Sequence, residues 1–225
     1  MLKRKYYYLV ASLPDFVLER SVKNFDFKAV VKDVCEPIHD EDRVFVSELF
    51  HFQERAENSE EKLELSHDDW THFYQEIGEK SNNKFVRSWL EFDQLLRNIQ
   101  TAWICRKTGA DASKQLIGRN EEIEPFLRNN MSDFGLRREL VFGEQIFNVL
   151  DEDIDLLERE FRLDLIRWEM ADELTTFNYF DLDNVLAFLV KAEILDRWLK
   201  LDEERGALLF NGFVKSLVEQ KKVNI

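Results

Sequence analysis

The side chains best suited to chemistry are four histidines, each preceded three positions earlier by a carboxylate: Glu36 and His39, Glu48 and His51, Glu64 and His67, Asp69 and His72. A carboxylate and an imidazole at i and i+3 share one face of a helix, and helices carrying such pairs build carboxylate-bridged metal centres. A carboxylate/His metal enzyme using Glu48, His51, Glu64 and His67 is the reading that follows. Against it, Pro37 lies inside the first pair, and Glu64–His67 straddles a helix cap at Ser66. One residue in five is also acidic, so that such spacings recur from composition alone.

Other reactive groups point less far. Asp151, Asp153 and Asp155 resemble the opening of a calcium loop, but the sixth position, where the loop turns sharply on glycine, is Leu156. Cys105 stands one residue before Arg106-Lys107, a setting that lowers a thiol pKa, yet it also falls in an apolar helical rhythm that would bury it. No G-x-x-x-x-G-K-[ST], G-x-G-x-x-G or G-x-S-x-G is present, and seven scattered glycines build no phosphate cradle. The sequence therefore assigns no catalytic residue, no metal ligand and no cofactor. What remains is aromatic. Tyr179 and Phe180 stand just before Asp181, and Trp198 follows near the end of the same segment. They serve either packing, as a hydrophobic staple onto the next helix, or docking.

The elements that would position these residues are amphipathic helices. Asp26 caps a short helix from Phe27 to Cys35, and a longer one spans roughly Asp40 to Ala56 with Val44, Leu49 and Phe52 inward. Polar residues Glu57 to Leu65 connect to a helix that Ser66 caps and that runs to about Lys80. From Asn83 to Lys107, Phe85, Trp89, Phe92, Leu96, Ile99 and Trp103 hold a helical rhythm that Thr108-Gly109 stops. Residues 109–150 break into short pieces such as Glu121–Asn129 and Leu136–Leu150. A long helix then runs from Asp151 to about Leu174, and a closing helix pair occupies Asp181 to Gln220. The exception is Tyr6 to Leu13, aromatic and β-branched, which reads as an extended arm or short strand ending at Pro14; a helix running on into Asp15–Arg20 is the alternative.

Composition bounds the class. Few glycines and only three prolines argue against a sandwich or barrel, while nineteen phenylalanines, most at helical spacings, fill a helical core. The net charge is −14. The first 75 residues carry 10 basic and 16 acidic side chains, the next 75 carry 11 of each, and the last 75 carry 10 and 18. Nucleic acid and anionic membrane surfaces are unsuitable partners for such a chain, whereas a basic protein would fit. Two cysteines inside apolar patterns suit a reducing compartment, and no apolar run is long enough to span a bilayer, so a cytoplasmic protein without direct membrane insertion is expected. The whole reads as one helical domain, residues 1–225, with possible subdivision near 57–65 and 109–150.

Two stretches carry a resemblance. YYYLVASLPDF, Tyr6 to Phe16, resembles the opening of a family of bacterial proteins, found notably in Bacteroidetes, that is associated with V-type ATPases. NYFDLDNVLAFLVKAEILDRWLKLDEERGALLFNGFVKSLVEQ, Asn178 to Gln220, is similar to the C-terminal part of the C-type subunit of V-type ATP synthases, the d-type subunit of eukaryotes. The resemblance implies an all-α fold: an elongated or funnel-like assembly of amphipathic helical hairpins, here with a short extended N-terminal segment. It also implies a non-catalytic role linking the central shaft subunits to the membrane proteolipid ring. At 225 residues the chain is shorter than typical C-type subunits. The alternative from the residues alone is an acidic helical adaptor for an unrelated basic partner.

Overall fold

The computed structural model describes residues 4–16, 25–58 and 67–200, and of residues 51–58 and 67 the backbone alone. The helices are α1 (Tyr7–Ser12), α2 (Phe27–Cys35), α3 (Asp40–Asn58), α4 (His67–Phe73), α5 (Lys84–Thr108), α6 (Asn120–Arg128), α7 (Gly143–Asp151), α8 (Leu156–Glu173) and α9 (Leu182–Lys200). A π turn occupies Tyr74–Gly78 and a 3₁₀ turn Ala112–Lys114. The fold is all-α. Among the described residues the β structure amounts to an isolated antiparallel bridge between Lys5 and Asp181.

Helix ends fall where short polar side chains satisfy the free N–H groups. Asp26 accepts hydrogen bonds from the amides of Lys28 and Ala29 and starts α2. Asn83 accepts from the amide of Val86 and starts α5; Gly109, at φ 73°, closes it with its own N–H on the Cys105 carbonyl. Asp155 accepts from the amide of Glu158, so α8 begins at Leu156 rather than at Asp151.

Three expectations are corrected. Tyr7–Ser12 is helical, not an extended arm or strand: no sheet is present among the described residues for it to join, and the Val10 amide turns back to the Tyr6 carbonyl at 2.9 Å. The extended conformation is limited to the bridge at Lys5 and to Leu13, which precedes Pro14. The piece expected over Leu136–Leu150 becomes helical only at Gly143, because the Arg137 carbonyl occupies the space that a Cβ at 143 would need, an approach that only glycine permits. On α3, Val46, Leu49 and Phe50 are buried and Val44 is exposed, so the inward stripe is turned from the one expected. The connection at 59–66 and the second helix of the closing pair, after Lys200, lie outside the described residues.

The chain divides into two compact units. The first combines Met1–Ile38 with Asn178–Ile225. Its central element is α9, apolar on nearly every side: Val185, Leu186, Leu189, Val190, Ala192 and Leu195 are all buried. Against α9 lies α2. The second unit is His39–Phe177, and residues 109–150 lie within it. Its core is built on α5, where Leu96, Ile99 and Ala102 meet Leu116, Ile123 and Phe126 of the following segment, Phe134, Ile146, Phe147 and Leu150 around α7, and Leu163 and Ile166 of α8. Fully burying each large aliphatic or aromatic side chain contributes about 1.5–3 kcal/mol, so this cluster dominates the unit's stability.

Candidate functional site

In the first unit the N-terminal segment is fastened to α9 at two points. At one, the Tyr6 amide donates to the Phe180 carbonyl at 2.6 Å and the Lys5 ammonium donates to the Tyr179 carbonyl at 2.7 Å, on either side of the Lys5–Asp181 bridge. At the other, Phe16 stacks on Phe188 with ring centroids 4.6 Å apart and meets Phe25 edge-on. Pro14 explains the second point: it ends the helical run and sends Leu13 into extended backbone, which carries Phe16 away from α1 and onto α9. The turn into α9 is itself knotted. Asn178 donates through its side chain to the buried Asp183 carboxylate at 3.0 Å, and the Asp181 amide donates to the Asn184 side chain at 3.4 Å.

Between these points α1 has no buried residue, although its sequence YYLVAS is largely apolar. Tyr7 is 58 % exposed and Tyr8 94 %; across the bridge Tyr179 is 67 % and Phe180 37 % exposed. Tyr7 and Phe180 pair at 5.2 Å with their rings tilted by 41°. Phe180 adopts φ 59°, in the left-handed region that bulky L-residues avoid at a cost of about 1–2 kcal/mol. Its carbonyl bond to Tyr6 keeps it there. The result is an edge of exposed aromatic rings on a fixed backbone.

Two of the three aromatics singled out from sequence, Tyr179 and Phe180, therefore sit on this edge, and Phe180 packs on Tyr7 rather than only forward onto α9. Trp198 does not join them. It lies at the other end of α9, roughly 27 Å away by helical rise, half-buried beneath the Arg197 guanidinium. Tyr7 and Tyr8 were hidden by the strand-like composition of their segment; the signal that could have found them is the uninterrupted run Tyr6-Tyr7-Tyr8.

The second unit holds a buried ionic network that the sequence did not suggest. Asp93 of α5 accepts from the Tyr74 hydroxyl at 2.5 Å, from Arg97 Nε at 2.8 Å and from Arg167 Nε of α8 at 3.0 Å. Arg167 also donates to Asp164 at 3.1 Å, and the Arg97 guanidinium lies over the Trp70 ring at 4.9 Å. Burial alone would push the Asp93 carboxyl up, but Arg97, Arg167 and the Tyr74 hydroxyl outweigh it and hold the group well below the usual carboxylate range. Burial and the Asp93 charge push the Tyr74 phenol well above its ordinary value. Two carboxylates thus balance two guanidinium groups. An acid so firmly ionised is a poor proton acceptor at neutral pH, and the network is suited to holding α4, α5 and α8 together rather than to moving protons.

The remaining sequence candidates are dispersed. Glu48 accepts from the Ser81 hydroxyl at 2.6 Å, which ties α3 to the start of α5, and His72 is exposed on α4. The side chains of His51, Glu64 and His67 lie outside the described ones. Among the described residues no three His, Cys, Asp or Glu side chains converge as metal ligands would. Asp151 is bonded to Arg137 at 2.6 Å, Asp155 caps α8, and Leu156 is exposed rather than part of a loop. Cys105 is buried with its Sγ 3.7 Å from Gln115 Oε1. No helix among the described residues is long and apolar enough to cross a membrane.

Folding also regroups the charge. The first unit carries 14 basic and 13 acidic side chains, whereas the second carries 17 and 32. The net charge is thus +1 in the first unit and −15 in the second, so the net acidity that sequence thirds assign to both ends belongs wholly to the second unit.

A family described as "Protein of unknown function (DUF2764)" matches the chain over residues 36–221. No curated protein and no solved structure matches it.

Proposed function

The chain belongs to this family of unknown function, and from the resemblance of its two ends to V-type ATPase proteins alone we propose that it is a non-catalytic component of a V-type ATPase, similar to the C-type subunit. In this role it links the central shaft subunits to the membrane proteolipid ring from the cytoplasmic side, held at the inner membrane through the complex and not by a span of its own. One observation carries the reading. The two stretches that bear the resemblance are built into one unit, joined by the Lys5–Asp181 bridge and the Phe16–Phe188 stack. Their junction presents Tyr7, Tyr8, Tyr179 and Phe180 to solvent, as a docking edge requires. The test is affinity purification of the tagged chain from its own cells: the shaft and ring subunits should come with it in fixed ratio, and their consistent absence would sink the proposal.

A second reading is favoured by the charge of the second unit. With 32 acidic against 17 basic side chains, it suits an adaptor that recruits an unrelated basic protein. Such recruitment would weaken steeply between low and high salt, whereas docking through an aromatic edge would not.

A further inference from the structure

The helix that begins at His67 leaves the α register at Tyr74, where the backbone widens into a π turn that ends at Gly78. π turns are rare and often appear at functional sites, where a structure needs an unusual side-chain direction. Here the direction is that of Tyr74. Its ring is buried, stacked at 6.1 Å on Trp70 and set edge-on at 5.2 Å to Phe73, and its hydroxyl reaches Asp93. The Trp70 ring receives the Arg97 guanidinium, and Arg97 reaches the same Asp93 oxygen. The arm formed by α4 and the π turn thus meets α5 through apolar packing, with Gly78 set against Leu90, and through one polar centre at Asp93.

Phe73 and Tyr74 bury their rings outside the cluster described above. None of the twelve residues of that core belongs to 67–78. Thr71 Oγ1, within the arm, is buried without a hydrogen-bond partner among the described residues, so its packing leaves a polar cost uncompensated. Asp93, by contrast, keeps Arg97 and Arg167 whether or not the tyrosine is present.

The geometry points to a latch: the Tyr74 hydroxyl on Asp93 holds the arm closed on α5, and its loss frees residues 67–78 while the rest of the unit stays folded. A hydrogen bond to an ionised, buried acceptor is among the stronger ones, so removing it shifts the opening equilibrium by about tenfold or more. The region that opens would be drawn from the low-stability end of the molecule, where binding segments are commonly found.

The experiment is hydrogen exchange read by mass spectrometry on the full chain, comparing Tyr74→Phe with the parent. The substitution removes one oxygen and keeps the stacked ring. Peptides covering 67–78 should exchange about tenfold faster or more, with α5, α7 and α8 unchanged and the far-ultraviolet circular dichroism preserved. Three results would overturn the latch: unchanged exchange in 67–78, an equal rise across α5 to α8, or failure to recover a folded chain, since each shows that the hydroxyl does not act locally.

Discussion

Phe16 lies against Phe188 with ring centroids 4.6 Å apart and an interplanar angle of 18°. This stack joins the Leu13-Pro14-Asp15-Phe16 segment to the middle of α9, and with the Lys5–Asp181 bridge it makes one unit of the chain's two distant stretches. Phe16→Ala should therefore lower the stability of the first unit by about 1–2 kcal/mol, and Phe16→Leu by less, because an aromatic pair adds to simple apolar burial. Denaturant titration followed by peptide-level exchange in α2 and α9 measures this.

Phe180 separates stability from docking. Phe180→Gly relieves the left-handed backbone but loses the ring contact with Tyr7 and adds freedom to the unfolded chain. These effects offset one another, so the melting free energy should move by less than about 1 kcal/mol. Co-purification of partner subunits should nevertheless fall sharply. A variant that binds as well as the parent would remove the aromatic edge from the docking surface.

Asp93 fixes an acid limb of stability. Its pKa is lower in the folded than in the unfolded chain, so the unfolded form takes up the proton first as pH falls. The contribution is complete above the ordinary carboxylate range, about pH 4, and is lost progressively below it, through the whole accessible acid range. Tyr74 acts with the opposite sign. Its raised pKa keeps its contribution intact below about pH 10 and loses it as pH rises further. Asp93→Asn should cost about 3 kcal/mol at neutral pH, because Arg97 and Arg167 are left without their shared counter-charge, and should flatten the acid limb. Urea midpoints measured from pH 2 to about pH 11 on parent and variant test the acid limb, the neutral-pH cost and the alkaline loss together.

Asn98 holds a turn in place. From its buried position on α5 it accepts the Ile117 amide at 2.8 Å and donates to the Ile117 carbonyl at 2.7 Å. Asn98→Ala leaves the Ile117 amide without its partner, while the Ile117 carbonyl keeps the Gln94 side chain at 3.1 Å, and should cost about 1–3 kcal/mol in an equilibrium unfolding experiment. Asn98→Asp keeps the acceptor, loses the donor and should fall between the parent and the alanine variant.

The helices that were legible in the sequence are those with local signals. Asp26, Asn83 and Gly109 mark the ends of α2 and α5 through contacts within four residues, and the spacing of Phe85, Trp89, Leu96 and Ile99 follows from the helical period alone. What was not legible depends on distant partners. Arg167 meets Asp93 across 74 positions, and nothing in either neighbourhood marks the pair. Gly143 is a local case of another kind: the Arg137 carbonyl, six positions earlier, closes on it, a backbone approach that side-chain spacing does not mark. Tyr7 and Tyr8 carry strand propensity, but with no strand among the described residues to pair with, the segment closed its hydrogen bonds within a helix and turned its rings outward. Of the edge itself, Tyr179 and Phe180 were visible because they interrupt the pattern just before α9, while their relation to Tyr6 and Tyr7 required the fold.

The first unit is made from both ends of the chain, and this sets an order on its birth. Residues 39–177 form a continuous unit that can fold as soon as it has left the ribosome. Phe16 must wait for Phe188, and at about 5–20 residues per second that interval is roughly 10–35 s. Throughout it the nascent N-terminal segment carries Tyr6, Tyr7, Tyr8 and Phe16 with no α9 to receive them. The aromatic run whose Tyr7 and Tyr8 belong to the proposed docking edge is, during synthesis, exposed apolar surface of the kind that a chaperone covers.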